Sequence, residues 1–118
     1  MAQAAREQRR FPRIPSRFHV LVRREDNWDD ETFTRTEDVG LGGCLFSHPK
    51  RFEAGDRLFM AIAVRERIVE VGARVVYVLA REDGGFDTGV EFTHFRPADR
   101  PVLAELFVDL ETRPGVTT

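Results

Sequence analysis

Apolar and polar residues alternate along most of this chain, which is the pattern of strands that bury one face and expose the other. The alternation is clearest at residues 86–92, where Phe86, Thr88, Val90 and Phe92 are separated by polar or small residues. Turn-forming residues interrupt the pattern every ~8–12 residues, a spacing typical of small barrels and sandwiches. The pattern predicts six short antiparallel strands, at residues 18–23, 33–39, 44–46, 58–64, 68–79 and 86–92.

Two of these strands carry a prediction about which side chains share a face. In the second strand, the polar row of Thr32, Thr34 and Thr36 alternates with the row that runs from Phe33 to Val39. In the fifth strand, the period of two places one row of side chains together. That row is Val69, Val71, Ala73, Val75 and Tyr77.

Near the carboxyl terminus the period changes to that of a helix. The apolar residues there recur at intervals of three and four: Leu103, Leu106, Phe107 and Leu110. Pro97 lies where the first residue of a helix is expected, because that position needs no amide donor. The run Arg113-Pro114-Gly115 predicts the end of the helix.

The length of 118 residues fits one domain. We expect a flexible arm at residues 1–8, the domain at 9–112 and a tail at 113–118. No apolar run approaches the ~18 residues of a membrane span, and the first residues lack the apolar segment of a secretory signal. Cys44, the single cysteine, permits no internal disulfide and fits a reducing cytosol, so we expect a cytoplasmic protein.

Charge is distributed unevenly along the chain. Residues 1–24 contain seven arginines and one acid, for a net charge of +6, whereas the remainder carries −8. Four of the seven arginines lie in residues 6–15, which we call the arginine segment. Pro12 and Pro15 favour extended geometry there. A basic segment beside an acidic domain indicates a local anion-binding task.

Residue types with catalytic or metal-binding chemistry are scattered. His19, His48 and His94 lie far apart, and none has a Cys or His at the spacing of a metal site. Cys44 lies in an apolar strand, where a buried, unreactive thiol is expected. We interpret the acidic run at residues 29–31 as a solvated loop. The sequence therefore gives no support for a metal, a cofactor or enzyme activity.

One combination of residues points to a ligand. Arg9 and Arg13 lie at most ~13 Å apart in an extended segment, so they can hold a ligand from two sides. Arginine presents a planar fork that matches guanine and phosphate oxygens. Asp38 can accept hydrogen bonds from the donor edge of guanine, and glycines at 40, 42 and 43 permit positive φ and close backbone approach. Together these residues indicate a reader of guanine and phosphate.

These residues also carry a family resemblance. The chain resembles PilZ domains, the bacterial receptor modules for cyclic di-GMP. Their RxxxR motif is matched by residues 9–13 (RRFPR), and their [D/N]xSxxG motif by residues 38–43 (DVGLGG), with Gly40 in place of Ser. The stretches GARVVYV and TGVEF are similar to the late strands of the family. The resemblance extends over roughly residues 6–110.

The resemblance implies a mainly β fold, a six-stranded antiparallel β-barrel with a C-terminal helix. It implies that Arg9 and Arg13 grip guanine and phosphate, that Asp38 reads a guanine edge and that Gly43 shapes the turn. Arg10 and Gly40 complete the candidate ligand-binding set. Because Gly40 lacks the hydroxyl group of the family's Ser, we expect binding weakened by about 0.5–1.5 kcal/mol.

The first hypothesis is a cyclic di-GMP receptor in motility or biofilm regulation, in which the arginine segment orders over the ligand and signals to a separate effector protein. The second is an adaptor of the same fold, in pilus or flagellar regulation, with weak or no nucleotide binding. Binding of a nucleic-acid polymer is a third reading, disfavoured by the acidic remainder of the chain. A solvated tail without a role is the fourth. No membrane insertion is expected, and the sequence leaves open whether the protein is a monomer or a dimer.

Overall fold

The computed structural model of the protein describes the backbone of residues 13–112 and the side chains of residues 15–108. In chain order the elements are β1 (Arg13–Pro15), β2 (His19–Arg24), β3 (Thr32–Gly40), β4 (Gly43–His48), β5 (Arg57–Val64), β6 (Arg67–Ala80), β7 (Phe86–Phe95) and α1 (Arg100–Thr112). The strands lie in the order β1-β3-β2-β5-β6-β7-β4, and a further pairing of β3 with β4 closes the sheet. The predicted six-stranded antiparallel barrel with a terminal helix is therefore confirmed, with β1 added beside β3.

The interior of the barrel is filled by alternate side chains of the closed strands, as the period of two requires. Val20 and Val22 of β2 and Met60 and Ile62 of β5 are fully buried. Helix α1 contributes Leu103 and Leu106 to the same core, and Phe107 packs at its edge, as the helical period predicts. The last predicted member of that face, Leu110, lies outside the described side chains.

The helix begins later than Pro97 predicted. Residues 97–99 form a turn, and Asp99 takes the position that precedes the first helical residue, Arg100. Asp99 is 3% exposed, and its carboxylate accepts hydrogen bonds from the Glu70 amide and from Arg96 Nε. An aspartate is favoured at a helix N-cap. Its fixed position at the end of the barrel therefore sets the helix start and overrides the preference of Pro97.

A bulge in β3 places Phe33 and Val39, which were predicted to share a row, on opposite faces of that strand. The pairing of β3 with β4 shifts register between Thr36 and Asp38, so Glu37 is the extra residue. Thr36 and Val39 are both fully buried, whereas Phe33 is 81% exposed. Thr32, Thr34 and Thr36 share a face, as predicted, but it is the inner face, and Val39 lies on it too instead of on the face of Phe33. A bulge moves every later side chain to the opposite face, which alternation alone does not reveal.

A second bulge lies in β6, where pairing with β7 shifts between Val75 and Tyr77. The predicted row is correct from Val69 to Val75, which are buried at 2% exposure or less. It is wrong for Tyr77, whose ring lies on the outer surface over Gly89. Thr88 and Val90, the neighbours of that glycine, point into the barrel, so the ring must lie outside.

Candidate ligand-binding site

The last residue of the first motif, Arg13, lies beside the second motif along one edge of β3. Strand β1 pairs with β3 so that Arg13 lies opposite Gly40 and Pro15 lies opposite Asp38. The structure thereby places the end of the arginine segment beside the first half of the glycine motif. Arg9 and Arg10 lie outside the described residues, and for Arg13 only the backbone is described.

Thr36 holds the chain where it passes from β1 to β2. Both strands pair with β3, but residues 16–18 interrupt the ladder between them. The Thr36 hydroxyl donates to the Ser16 carbonyl at 2.5 Å and accepts from the Phe18 amide at 2.9 Å. Two backbone bonds flank it, Ser16 amide to Glu37 carbonyl and Thr36 amide to Phe18 carbonyl. One buried hydroxyl thus replaces the missing ladder bonds and fixes where the arginine segment meets the barrel.

The glycine turn packs tightly against β7. The Gly42 carbonyl accepts a hydrogen bond from the Phe92 amide at 2.8 Å. A Cβ atom added to Gly43 would lie 2.1 Å from the Val90 carbonyl oxygen, closer than any real side chain approaches. Among the described glycines, positive φ occurs at Gly55 and Gly84, so left-handed geometry is not the reason for this turn. Gly43 shapes the turn by permitting close approach between two backbones.

Asp38 lies on the outer surface of the barrel because of the bulge that precedes it. Its β4 partner is Leu45, which pairs with Gly89 of β7, which in turn pairs with Tyr77 of β6. These four residues form a single row across four strands, and we call it the Asp38 row. Asp38, Leu45 and Tyr77 are each half-buried.

Ion pairs border this row on both sides. On one side, Arg81 Nη1 lies 2.7 Å from Asp87 Oδ1 and 3.7 Å from Glu37 Oε1. Hydrogen bonds to Asp87 and then to Asp83 raise the pKa of Arg81. On the other side, Arg74 Nε donates to Glu91 Oε1 at 2.7 Å. Both arginines are thus paired with carboxylates, and on the first side the carboxylates outnumber the arginine.

A separate cleft of about 510 Å³ opens at the rim of the barrel, next to the glycine turn. Leu41 and Gly42 form one wall of the cleft. The end of β7 forms another wall, where the rings of Phe92 and Phe95 pack edge to face. Arg100, the first residue of α1, also lines the cleft. The cleft size suits a small ligand. Sequence reasoning missed this cleft, because it arises where the glycine turn meets the distant segment that joins β7 to α1.

Residues that were considered as catalytic groups or metal ligands pack in the core or form ion pairs instead. Cys44 is fully buried, as predicted. Asp30, of the acidic run, lies 3.0 Å from Lys50 Nζ and 3.5 Å from Arg24 Nε. Burial lowers the pKa of His48, which favours a neutral ring. The described part of the chain contains no group of three or more His, Cys, Asp or Glu residues that could hold a metal ion.

No helix among the described residues has the length and apolar character needed to cross a membrane.

The family model described as PilZ domain matches residues 7–109, which is most of the chain. No curated protein sequence matches the chain.

Several solved structures share the fold. The inhibitor of motility MotI/DgrA of Bacillus subtilis superposes with a TM-score of 0.73 at 18% identity, covering 90% of this chain and 53% of that protein. The PilZ domain of Escherichia coli YcgR with c-di-GMP gives 0.68 at 16% identity, covering 88% and 92%. The MrkH–c-di-GMP complex of K. pneumonia gives 0.69 at 17% identity, covering 88% and 52%. The chain therefore spans about half the length of MotI and MrkH.

Proposed function

The chain belongs to the PilZ domain family, and we propose that it is a binding protein for cyclic di-GMP rather than an enzyme. The observation that carries this proposal is the pairing of β1 with β3, which sets Arg13 opposite Gly40 and Pro15 opposite Asp38. The end of the first motif thereby lies beside the second, although the two are distant in sequence. Similar structures of YcgR and MrkH contain c-di-GMP, which supports the choice of ligand.

The role proposed for each ligand-binding residue follows from the chemistry of its side chain. Arg9 and Arg13 bind guanine and phosphate through their planar forks, and Arg10 adds positive charge. Asp38 accepts hydrogen bonds from the N1–H and N2–H groups of one guanine. The bulge before Asp38 supports this role, because it brings the carboxylate to the outer surface beside the arginine segment.

Isothermal titration calorimetry with cyclic di-GMP tests the proposal. We expect saturable binding by the wild-type protein and a loss of about 1–3 kcal/mol in each of Arg9→Ala, Arg13→Ala and Asp38→Ala. Arg51→Ala is the matched control, because Arg51 is an exposed arginine beyond the opposite end of β4. Absence of heat at near-millimolar ligand, or equal losses in the control, would refute it. Arg100→Ala distinguishes the Asp38 row from the cleft, since only a ligand in the cleft would respond.

We further propose that the protein signals to a separate effector in the cytoplasm. Ligand binding would fix the arginine segment against the barrel and so change the surface that the effector recognises. The likeness to an inhibitor of motility supports a place in motility control. A pull-down of the candidate effector with and without cyclic di-GMP tests this step, and equal capture by wild type in both conditions would contradict it.

Gly40 supports a second candidate function, an adaptor of the same fold with weak or no nucleotide binding. The family motif has Ser at this position, and its hydroxyl group is absent here. For such an adaptor, effector capture would be independent of the nucleotide and unchanged in the Arg9→Ala/Arg13→Ala variant. The receptor proposal requires the opposite result in both measurements.

A further inference from the structure

Apolar side chains cover the outer face of β2, β3 and β5, on the wall of the barrel opposite the Asp38 row. In the closed sheet, β2 lies three strands from β7, and β5 lies three strands from β4. Phe33 of β3 pairs with Leu21 of β2, which pairs with Ala61 of β5. Phe33 is 81% exposed, and the other two are half-buried. Contiguous exposed apolar surface of this kind marks an interaction site.

Trp28 extends this surface and is held in place by Arg23. The guanidinium carbon of Arg23 lies 3.4 Å from the centre of the Trp28 ring and 4.5 Å from that of Phe59, so the cation is stacked between two rings. Arg23 is 4% exposed, whereas Trp28 is 72% exposed. An exposed ring that is already fixed loses little freedom when a partner covers it, and tryptophan often anchors interfaces. We call the whole surface the Phe33 face; its members are Leu21, Trp28, Phe33, Phe59 and Ala61.

A partner reaches the centre of this face through side chains rather than through the backbone. Strands β2 and β5 are each hydrogen-bonded to a neighbouring strand on both sides, so neither presents an open edge to a further strand. At their observed exposures, Trp28 and Phe33 would together bury roughly 300 Å² in a contact. A standard interface buries about 800 Å² on each partner. The contact must therefore extend over the surrounding sheet, including its charged ends.

Opposite charges lie at the two ends of the Phe33 face. The acidic end is the loop that joins β2 to β3, and its exposed carboxylates are Glu25, Asp26, Asp29 and Glu31. The basic end has the exposed arginines Arg35, Arg65 and Arg67. One exposed charge of opposite sign accompanies each set, Arg57 at the acidic end and Glu66 at the basic end. From Glu31 to Arg35 the chain spans ~13 Å, more than the Debye length of ~8 Å at physiological salt, so the two ends act separately.

These charged groups are available to a partner. Within the part of the chain that the structure describes, none of the four carboxylates forms an ion pair, and neither does Arg35 or Arg67. A face that is apolar in the middle, acidic at one end and basic at the other is complementary to itself when it is turned end over end.

We propose that the Phe33 face is the contact between two copies of this chain, related by a two-fold axis that crosses the strands. Such an axis sets the same face against itself and reverses the strand direction, so each acidic end meets the basic end of the other copy. Phe33 then lies near the axis, and Trp28 of one copy approaches Ala63 and Ile68 of its partner, which pair with each other at the basic end. The inference goes beyond nucleotide binding, because the Asp38 row lies on the other wall.

Sedimentation equilibrium of the full chain without nucleotide measures this association. At high micromolar concentration we expect wild type at twice the mass of one chain. Phe33→Ser should raise the dimer Kd by about 30-fold or more, because the axis repeats the change in both copies. Leu79→Ser is the matched control, since Leu79 is 51% exposed on the wall of the Asp38 row, and it should dimerise like wild type. A monomeric wild type, or equal effects of the two substitutions, would overturn the proposal.

Charge reversal tests the direction of the axis. Arg35→Glu/Arg67→Glu makes both ends acidic, and Asp29→Arg/Glu31→Arg makes both ends basic. Each variant alone should be monomeric, whereas an equimolar mixture should form a dimer, because every end then meets its opposite. Adding Phe33→Ser to both variants keeps the charges and should leave the mixture monomeric, which excludes general attraction between oppositely charged proteins. A mixture that stays monomeric without Phe33→Ser, or that associates equally with it, refutes the proposed contact. The charge reversals are all at exposed positions, so they decide even if Phe33→Ser does not fold.

Discussion

Thr36→Val is the change that most directly tests how the barrel positions the arginine segment. Valine has nearly the shape of threonine, so the substitution removes the hydroxyl group and leaves little cavity. That hydroxyl is fully buried and bonds two backbone groups, the Ser16 carbonyl and the Phe18 amide. These groups are the junction between β1, which carries Arg13, and the closed barrel.

The magnitude follows from the two bonds. A buried polar group left without its partner costs about 1–3 kcal/mol. Ser16 and Phe18 are each only half-buried, so water can reach them in part. We therefore expect about 1–3 kcal/mol for both bonds together. If β1 loosens locally, the cost appears as weaker ligand binding, because only the fraction of molecules with β1 in place binds tightly. The corresponding loss of affinity is about 5- to 150-fold.

Three measurements on the same samples separate the possibilities. Calorimetry with cyclic di-GMP gives the affinity, urea unfolding gives the global stability, and hydrogen exchange reports the Phe18 amide, which donates to the hydroxyl. Thr36→Ser is the matched control, because it keeps the hydroxyl and loses one methyl group. We expect it to bind as wild type does while losing about 1 kcal/mol of stability. The reasoning is wrong if the Val variant binds and exchanges like wild type, or if the Ser variant is impaired equally in binding.

Three further predictions follow from single contacts. Gly43→Ala should lower the free energy of unfolding by about 1–3 kcal/mol, because its Cβ would meet the Val90 carbonyl, and thermal unfolding beside the Thr36→Ser control measures this. Gly40→Ser should tighten cyclic di-GMP binding a few-fold to about tenfold in calorimetry, and unchanged affinity would contradict a role for that hydroxyl group. Stability should fall as the pH drops below 6.5 toward the lowered folded-state pKa of His48, because the unfolded chain then binds the proton more readily. Urea unfolding at pH 7.5 and 5.5 measures the change, which should shrink in His48→Gln.

The strands were predictable from the sequence because alternation reports burial directly. Each predicted segment lies within or overlaps the observed strand, and the ends differ by three residues at most. The barrel closure depends on β3 pairing with β4 as well as with β2, and the family resemblance rather than the alternation predicted it. The helix start was misplaced because Pro97 and Asp99 are both good start signals. Only tertiary contacts from Glu70 and Arg96 decide between them.

The candidate site was predictable only in part, because its geometry depends on two bulges. The sequence identified Asp38 and the glycines after it as chemically suited to a guanine ligand. It did not identify Thr36, which reads as one more polar residue of a half-exposed strand. It assigned Tyr77 to the row of Val69 and Val75, since nothing in the apolar run VVYV marks a change of face. A register shift is a property of two paired strands, so one strand's sequence does not display it.

The two bulges act on the two ends of the same row. Without the extra residue at Glu37, Asp38 would share the buried face of Thr36, and without the shift after Val75, Tyr77 would share that of Val75. The first irregularity also turns Val39 into the core, and the second turns Val78 toward it, so both contribute to the packing of the barrel. Their shared effect is to bring a carboxylate and an aromatic ring to one outer surface, beside the strand that ends the arginine segment. The shifts that complete the core therefore also determine which polar and aromatic groups the outer surface presents.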